Sequence, residues 1–218
     1  IGGGMVAFKE CYGDNVERVL NSEGIELATT LDEVRAMDGE QRVVALFADK
    51  EVGVDTGSYL AEATGEALRI LEKRSEGRGF VLMVEGSLID SMGHGNDAEA
   101  QQKEMQGFMS AIEVAVNYAD NNPGTLVVVT ADHETGGIAL GDKYNVNWEV
   151  FEKSWNENGQ SNNLDGAANA ELNKAGLIGW TTGDHTGGAV PVYAIGKGAE
   201  KFGGRFDNTD IKNKILGR

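Results

Sequence analysis

All three histidines of this chain lie close to acidic residues in the sequence. His133 directly follows Asp132, and His94 lies four residues after Asp90. His185 also directly follows an aspartate. Imidazole nitrogen together with carboxylate oxygen suits zinc and, less well, manganese or iron, whereas sites lined only by oxygen suit magnesium. Because the whole histidine supply is arranged in this way, the sequence predicts a metal-binding protein.

Two of the acidic clusters come immediately after predicted strands. The apolar runs 80–84 and 126–130 have the length expected of strands that are buried on both faces. Glu85 follows the first run, and Asp132 and His133 follow the second. In a parallel α/β sheet these side chains would emerge at the carboxyl edge, where ligand sites form. This shared position favours a common metal site over unrelated surface residues.

His185 precedes its predicted strand, residues 190–195, instead of following one. For this histidine to reach the same edge, that strand must run antiparallel to its neighbours, or the chain must return through a long loop. The flanking Gly183, Gly187 and Gly188 would equally suit a turn that faces solvent. The other two clusters are therefore what favours a ligand role for His185.

Strand and helix patterns alternate along most of the chain. A third apolar run, residues 43–47, predicts a strand, while apolar residues at helical spacing predict helices over 59–71 and 97–120. The methionines of the second helix are expected to pack in the core. Asn122-Pro123-Gly124 is expected to end that helix, and a short helix is predicted near 210–216. This rhythm predicts an α/β sandwich with a largely parallel sheet.

Residues 141–179 interrupt the alternation. They are rich in asparagine and contain Trp148 and Trp155. We interpret them as an insertion that packs over one end of the sheet, with the tryptophans serving structure and not substrate stacking.

Composition excludes several classes of protein. The 218 residues carry 35 acidic and 19 basic side chains, a formal charge of -16, and no basic run that could follow a phosphate backbone, so nucleic-acid binding is not expected. No apolar stretch approaches the roughly 20 residues of a membrane span. Cys11 is the only cysteine, which excludes an internal disulfide, and we expect it to be buried. Gly2 to Gly4 suggest a tight turn more than a phosphate cradle.

Other catalytic chemistries fit these residues poorly. A serine hydrolase would need a second glycine after Gly86-Ser87-Leu88, and this glycine is missing. Structural zinc sites of the finger type need cysteine pairs. Glycoside hydrolysis would use two carboxylates but would not require the histidines.

The motifs resemble those of alkaline phosphatases in order and spacing. The stretch 80–94 resembles the strand and metal-binding loop of that family. Thr130-Ala131-Asp132-His133 resembles its second zinc motif, and His185-Thr186-Gly187 its last histidine ligand. The resemblance covers nearly the whole chain apart from the insertion. It implies a three-layer α/β/α sandwich with a largely parallel central sheet, of which residues 1–218 would form the C-terminal part.

The resemblance also implies a set of metal ligands and a reaction. The first zinc would be held by Asp90, His94 and His185, the second by Asp132 and His133, and magnesium by Glu85, with Glu134, Thr135 and Thr186 orienting these ligands. The family hydrolyses phosphate monoesters, releasing inorganic phosphate, through a phosphoserine intermediate. A homodimer and a periplasmic or extracellular location are further expectations from this family.

The nucleophilic serine of the family comes from a segment upstream of the glycine-rich start. Ser91 follows Asp90 as in the family's Asp-Ser motif, but Asp90 is already a ligand of the zinc loop. We therefore expect this chain to lack the N-terminal part of the domain, to bind metal incompletely and to hydrolyse phosphate esters poorly or not at all by itself. The alternatives are another metal-dependent phosphodiesterase or phosphomutase of the same superfamily, and a non-catalytic metal-binding protein.

Overall fold

Helices and short strands alternate in the first part of the chain. The computed structural model describes residues 1–53, 59–140 and 178–217. The elements before residue 80 are α1 (Met5–Tyr12), α2 (Val16–Ser22), β1 (Ile25–Ala28), α3 (Leu31–Ala36), β2 (Arg42–Ala45) and α4 (Tyr59–Ser75), and a 3-10 turn (Gly13–Asn15) joins α1 to α2.

The rest of the described chain contains two adjacent helices followed by shorter strands. The elements are α5 (Leu88–His94), α6 (Ala98–Asn121), β3 (Leu126–Val129), β4 (Glu134–Thr135), β5 (Ala139–Leu140), β6 (Ile178–Gly179), β7 (His185–Thr186), β8 (Tyr193–Gly196), a 3-10 turn (Ala199–Phe202) and α7 (Asp210–Leu216). The predicted helices 59–71, 97–120 and 210–216 are thus confirmed as α4, α6 and α7.

The chain divides into two compact units. The first unit comprises Ile1–Glu85 and Gly107–Val114, and the second comprises Gly86–Gln106 and Ala115–Arg218. Helix α6 contributes residues to both units.

The first unit is built around a parallel strand pair and an apolar cluster. β1 and β2 pair in parallel, with Ile25 opposite Arg42 and Ala28 opposite Ala45. Between them lies α3, whose N-cap residue is Thr30, and the Thr30 side chain accepts a hydrogen bond from the Glu33 backbone N–H. The apolar cluster consists of Ala28, Val34, Ala45 and Ile70, with Met37, Val43 and Phe47 packed against it. β1, α3 and β2 thus form a βαβ arrangement, although the sequence analysis had identified neither β1 nor α3.

The glycine-rich start forms a turn beside this core. Gly2 makes a parallel bridge to Leu46, and Gly4, at φ 106°, is the residue before α1. A Cβ on Gly3 would lie 1.7 Å from the Lys50 carbonyl oxygen, so the close approach requires glycine. The expected turn thus corresponds to the bend at Gly3 and the positive φ of Gly4, whereas Gly2 pairs with Leu46 as a strand residue does.

The second unit contains antiparallel pairs among its described residues. β3 pairs with β8, β4 with β7, and β5 with β6. The antiparallel orientation that we considered for the strand after His185 is confirmed, because β8 runs opposite to β3.

The described strands form four two-stranded sheets, one of them parallel. They are consistent with an α/β fold, while the three-layer sandwich with a largely parallel central sheet stays a prediction. The run 80–84 contradicts our expectation of a strand buried on both faces. Residues 79–86 belong to no described strand, and Val81 and Met83 are 88% and 80% exposed. Leu82 and Val84 are half-buried, so only one face of this segment is covered.

Two residue types that we expected to be buried are exposed. Met105 and Met109 of α6 are exposed, not packed in a core, and Cys11 is exposed as well. Both expectations were wrong because helical spacing and residue type indicate a preferred face without showing which faces the tertiary fold covers. Of the proposed insertion 141–179, residues 141–177, including both tryptophans, lie outside the described residues.

Among the described helices, none is long and apolar enough to cross a membrane.

Candidate metal centre

Helix α5 supplies the first two ligands of the predicted metal site. Asp90 and His94 are one helical turn apart and therefore share a face of the helix. The His94 Nε2 atom lies 3.3 Å from the Asp90 Oδ2 atom. Gly93, between them, is buried, and a Cβ there would come within 3.1 Å of the Thr135 side chain. The glycine thus allows β4 to approach the helix closely.

The β4–β7 pair brings His185 to this helix. Its register places Thr135 opposite His185 and Glu134 opposite Thr186. After β4 the chain turns at Gly136, whose N–H donates to the Asp184 carbonyl over 3.0 Å. Gly136 has φ 89°, and a Cβ there would lie 2.5 Å from the Trp180 ring, so the turn requires glycine.

Asp90, His94 and His185 could hold a metal ion, because one donor atom of each lies within 4.8 Å of the other two. We call these three residues the first ligand set. The two histidine Nε2 atoms are 3.2 Å apart, and His185 Nε2 lies 3.6 Å from Asp90 Oδ1. Ligands of a tetrahedral zinc ion, bound at 2.0–2.1 Å, are separated by roughly 3.3 Å. The spacing and chemistry of these donors therefore fit zinc.

The backbone orients the His94 ring for such a role. Its Nδ1 atom lies 2.6 Å from the Gly183 carbonyl oxygen. Because a carbonyl can only accept, Nδ1 carries the hydrogen and the Nε2 lone pair is directed to the ligand set. A hydrogen bond from the second ring nitrogen to a carbonyl is the usual support of a metal-bound histidine.

Asp132 and His133, the predicted ligands of a second metal, lie side by side, and we call them the second ligand pair. The His133 Nε2 atom lies 3.3 Å from the Asp132 Oδ2 atom. The His133 ring stacks on the His185 ring with centroids 3.5 Å apart and planes at 21°. The two groups predicted from separate motifs are therefore in direct contact.

The side chains predicted to orient the ligands make contacts of that kind. Thr135 Oγ1 donates to Asp90 Oδ1 over 2.5 Å, and it lies 3.1 Å from His133 Nδ1. The Glu134 carboxylate accepts from the Gly137 N–H at 3.0 and 3.1 Å and from the Thr186 hydroxyl. Glu134 and Thr186 thus tie β4 to β7 beside the histidines.

The ligand side chains are accessible to solvent. His94 and His185 are 39% and 50% exposed, and Asp132 is 87% exposed. Structural zinc sites are closed by four protein ligands, whereas catalytic sites leave a position open. The described part of the chain therefore leaves this centre open to solvent.

Glu85 is the predicted magnesium ligand. It ends the Ile1–Glu85 segment of the first unit, and its side chain is exposed. Its role stays a prediction.

Sequence reasoning missed the contributions of Gly93, Gly136 and the Gly183 carbonyl. Glycine next to a predicted ligand was the available signal, but we interpreted Gly183 only as part of a turn.

A sequence model of the family described as alkaline phosphatase matches residues 13–217. The chain belongs to the alkaline phosphatase family. It is 33% identical to alkaline phosphatase 3 of Bacillus subtilis, over 81% of this chain and 48% of that relative. It is 30% identical to alkaline phosphatase 4 of the same species, over 99% of this chain and 56% of that relative. The chain thus spans about half the length of these curated relatives.

Solved alkaline phosphatases have a similar fold. A cold-active alkaline phosphatase from a psychrophilic Shewanella species matches 100% of this chain and 64% of its own chain, with a TM-score of 0.82 and 30% identity. The alkaline phosphatase of the Antarctic bacterium TAB5 matches 99% of this chain and 58% of its own, with a TM-score of 0.77 and 30% identity. A mutant of the TAB5 enzyme has been solved with Mg bound in its M3 site. These matches confirm the alkaline phosphatase-like α/β fold.

Proposed function

We propose that this chain is the metal-holding C-terminal part of an alkaline phosphatase, which hydrolyses phosphate monoesters and releases inorganic phosphate. The observation that carries the proposal is the first ligand set, where Asp90, His94 and His185 bring their donor atoms together from separate motifs. Membership of the alkaline phosphatase family then supplies the reaction class.

In this proposal each group of ligands holds one ion. The first ligand set holds one zinc, the second ligand pair contributes to a second zinc, and Glu85 contributes to a magnesium site. The Mg in the TAB5 mutant supports a magnesium role in a relative. When bound, the zinc ions would supply Lewis acidity toward the oxygens of the phosphate and the nucleophile.

The residues of this chain orient the ligands. Gly183 fixes the His94 tautomer, and Thr135 fixes the Asp90 carboxylate. Glu134 and Thr186 hold together the strands that carry the histidines. Fixed ligands of this kind reduce the reorganisation needed when a metal or a phosphate arrives.

Further parts of the proposal come from the family resemblance. Residues 1–218 belong to one three-layer α/β/α domain with a largely parallel sheet, and 141–179 is an insertion over the end of that sheet. The complete enzyme is a homodimer located in the periplasm or outside the cell. It forms a phosphoserine on a serine that this chain does not supply, so the 218-residue chain by itself is inactive or nearly so.

The alternatives have less support. A phosphodiesterase or phosphomutase would also use Asp-His pairs, but the relatives described above are named alkaline phosphatases. A non-catalytic metal-binding protein would also explain the ligands, but the relatives described above are named as phosphatases.

Zinc binding and turnover test this proposal separately. The 218-residue chain is titrated with zinc against a chromophoric chelator, and it is assayed with an aryl phosphate in the presence of zinc and magnesium. We expect zinc binding that His94→Ala weakens more than about 100-fold, since a lost ligand costs more than a lost supporting residue, which costs roughly 10- to 100-fold. We expect no turnover and no stoichiometric phosphoserine.

Asp120→Asn serves as the matched control, because Asp120 is an exposed carboxylate on α6 outside the ligand groups. It should leave zinc affinity unchanged. Equal zinc affinity in the His94→Ala variant and the unaltered chain would contradict the metal assignment. Sustained turnover with stoichiometric phosphoserine would contradict the assignment of the nucleophile to another segment.

A further inference from the structure

One hydroxyl group touches both groups of metal ligands. Thr135 Oγ1 lies 2.5 Å from Asp90 of the first ligand set and 3.1 Å from His133 of the second ligand pair. We propose that the Thr135 hydroxyl couples the two metal positions, so that filling one raises the affinity of the other. This inference rests on the proposed function, because it takes both groups as metal ligands.

The number of hydrogens that each group can donate determines the direction of the two hydrogen bonds of Thr135. An ionised Asp90 carboxylate can only accept, so the single Thr135 hydrogen is donated to it. The Thr135 oxygen is then left as an acceptor, and His133 Nδ1 must be the donor in the 3.1 Å contact. The Nε2 atom of His133 consequently has a free lone pair on the side of Asp132. A single hydroxyl therefore sets the carboxylate orientation in one group and the tautomer in the other.

The surroundings hold Thr135 in this orientation. Its side chain is buried, with 7% relative exposure. It lies opposite His185 in the β4–β7 pair, and its methyl group faces Gly93, where an added Cβ would be 3.1 Å away. The stack of His185 on His133 adds a second link between the groups. Neither group can therefore reorient without disturbing the other.

The expected sign of the coupling is positive. An ion in either position immobilises its ligands and, through the shared hydroxyl, also orders the ligands of the other position. The second ion then binds to side chains that are already ordered, so its binding loses less conformational entropy. Couplings of this type typically change affinity by about 5- to 150-fold.

Zinc titration of Thr135 variants is the first measurement. Thr135→Val keeps the shape but removes the hydroxyl, and Thr135→Ser keeps the hydroxyl. We expect Thr135→Val to weaken zinc binding roughly 10- to 100-fold at both positions, and Thr135→Ser to stay within about threefold of the unaltered chain. The titration extends to a large zinc excess, because the second ligand pair offers two protein ligands and binds more weakly.

A matched control separates this effect from general loss of a buried hydroxyl. Thr64 in α4 is 2% exposed, and its hydroxyl donates to the Leu60 carbonyl over 2.6 Å. Thr64→Val should lower stability without changing zinc affinity at either position.

Asp132→Asn tests the coupling itself, because it disables the second ligand pair while leaving Thr135 in place. In the unaltered background it should lower the zinc affinity of the first ligand set about fivefold or more. In the Thr135→Val background it should change that affinity less than about twofold, because uncoupled effects are additive.

The histidine tautomer provides a readout that does not depend on metal or activity. The chain has three histidines, so their ring ¹⁵N resonances can be assigned by single substitution. In the metal-free chain His133 should carry its hydrogen on Nδ1 in the unaltered and Thr135→Ser forms. In Thr135→Val it should lose this preference, while Nδ1 of His94 stays protonated through Gly183.

The outcomes distinguish this inference from the proposed function. If Thr135→Val binds zinc at both positions as the unaltered chain does, or weakens one position alone, the coupling is refuted while the metal assignment stands. An unchanged His133 tautomer in Thr135→Val would also refute it. If His94→Ala leaves zinc binding intact, the metal assignment fails whatever Thr135 does.

Discussion

The two units of this chain are stabilised by different kinds of contact. The first unit has a parallel strand pair and a fully buried apolar cluster, in which Ala28 and Val34 have no measurable exposure. Arg69 supports it by donating to the Val34 and Met37 carbonyl oxygens at 3.0 and 3.1 Å. The second unit places a carboxylate and three imidazoles together in a solvent-accessible centre held by short strands.

This difference indicates that burial stabilises the first unit and that ligand binding contributes to the second. Apolar burial stabilises a fold whether or not a ligand is present. A cation that binds only to the folded arrangement of these donors adds its binding free energy to the stability of the fold. Metal should therefore stabilise the second unit selectively, and substitutions in the apolar cluster should act on the first.

The largest expected effect comes from removing metal. At a free zinc concentration about 1,000 times the dissociation constant, binding adds about 4 kcal/mol to the free energy of unfolding. A chelator should therefore speed amide hydrogen exchange in β4 and β7 and leave β1 and β2 unchanged. Hydrogen-exchange mass spectrometry with and without chelator measures this. Equal acceleration in both units would show that the distinction between them is wrong.

Shortening a side chain in the apolar cluster should destabilise the first unit and not the second. Val34→Ala, at 0% exposure, should lower the free energy of unfolding of the first unit by about 2 kcal/mol, because it removes buried apolar surface and leaves a cavity. The matched control is Val81→Ala, since Val81 is 88% exposed and should change stability by less than about 0.5 kcal/mol. Chemical denaturation measures both. If the Val34→Ala variant is as stable as the control, Val34 does not contribute to the stability of the core.

The smallest expected effect concerns the start of α3. Thr30→Ala removes the acceptor of the Glu33 N–H, 3.2 Å away, and should cost about 1 kcal/mol of unfolding free energy. The Thr29 backbone N–H donates to the Glu33 carboxylate, which lowers the pKa of Glu33 below its ordinary value.

The sign of the pH dependence at this site follows from that lowered pKa. The stabilisation by ionised Glu33 is present above the ordinary glutamate pKa of about 4.3 and is lost as pH falls through the lower folded pKa. Glu33→Gln should therefore reduce the acid-induced loss of stability, measured by denaturation between about pH 6 and pH 3. An identical pH dependence in the variant would exclude a contribution from Glu33. Zinc affinity at neutral pH should not change in either variant.

Local patterns predicted α4, α6 and α7 because the signals of these helices are local. They did not predict α1, α2, α3 or α5, and α5 carries Asp90 and His94. α4 and α6 carry apolar residues at helical spacing, and the Asp97 carboxylate accepts from the Ala100 N–H at the start of α6. The same patterns did not show which faces would be covered. Met105 and Met109 are exposed because the covering of a helix face depends on elements far away in the sequence.

In segment 80–84, too, the local pattern did not show which faces would be covered. Its apolar composition suggested burial on both faces, yet Val81 and Met83 are exposed. A strand is defined by its hydrogen-bonded neighbours, and a five-residue run carries no information about whether they are present.

The sequence by itself determined the types, order and spacing of the metal ligands, and these were enough to indicate the family. The tertiary structure decided how the ligands are oriented. His94 takes its tautomer from Gly183, 89 residues away, and Thr135 reaches Asp90 across 45 residues. Such contacts follow from strand register and from close approach at Gly93. They depend on atoms that meet only after folding, so no local pattern encodes them.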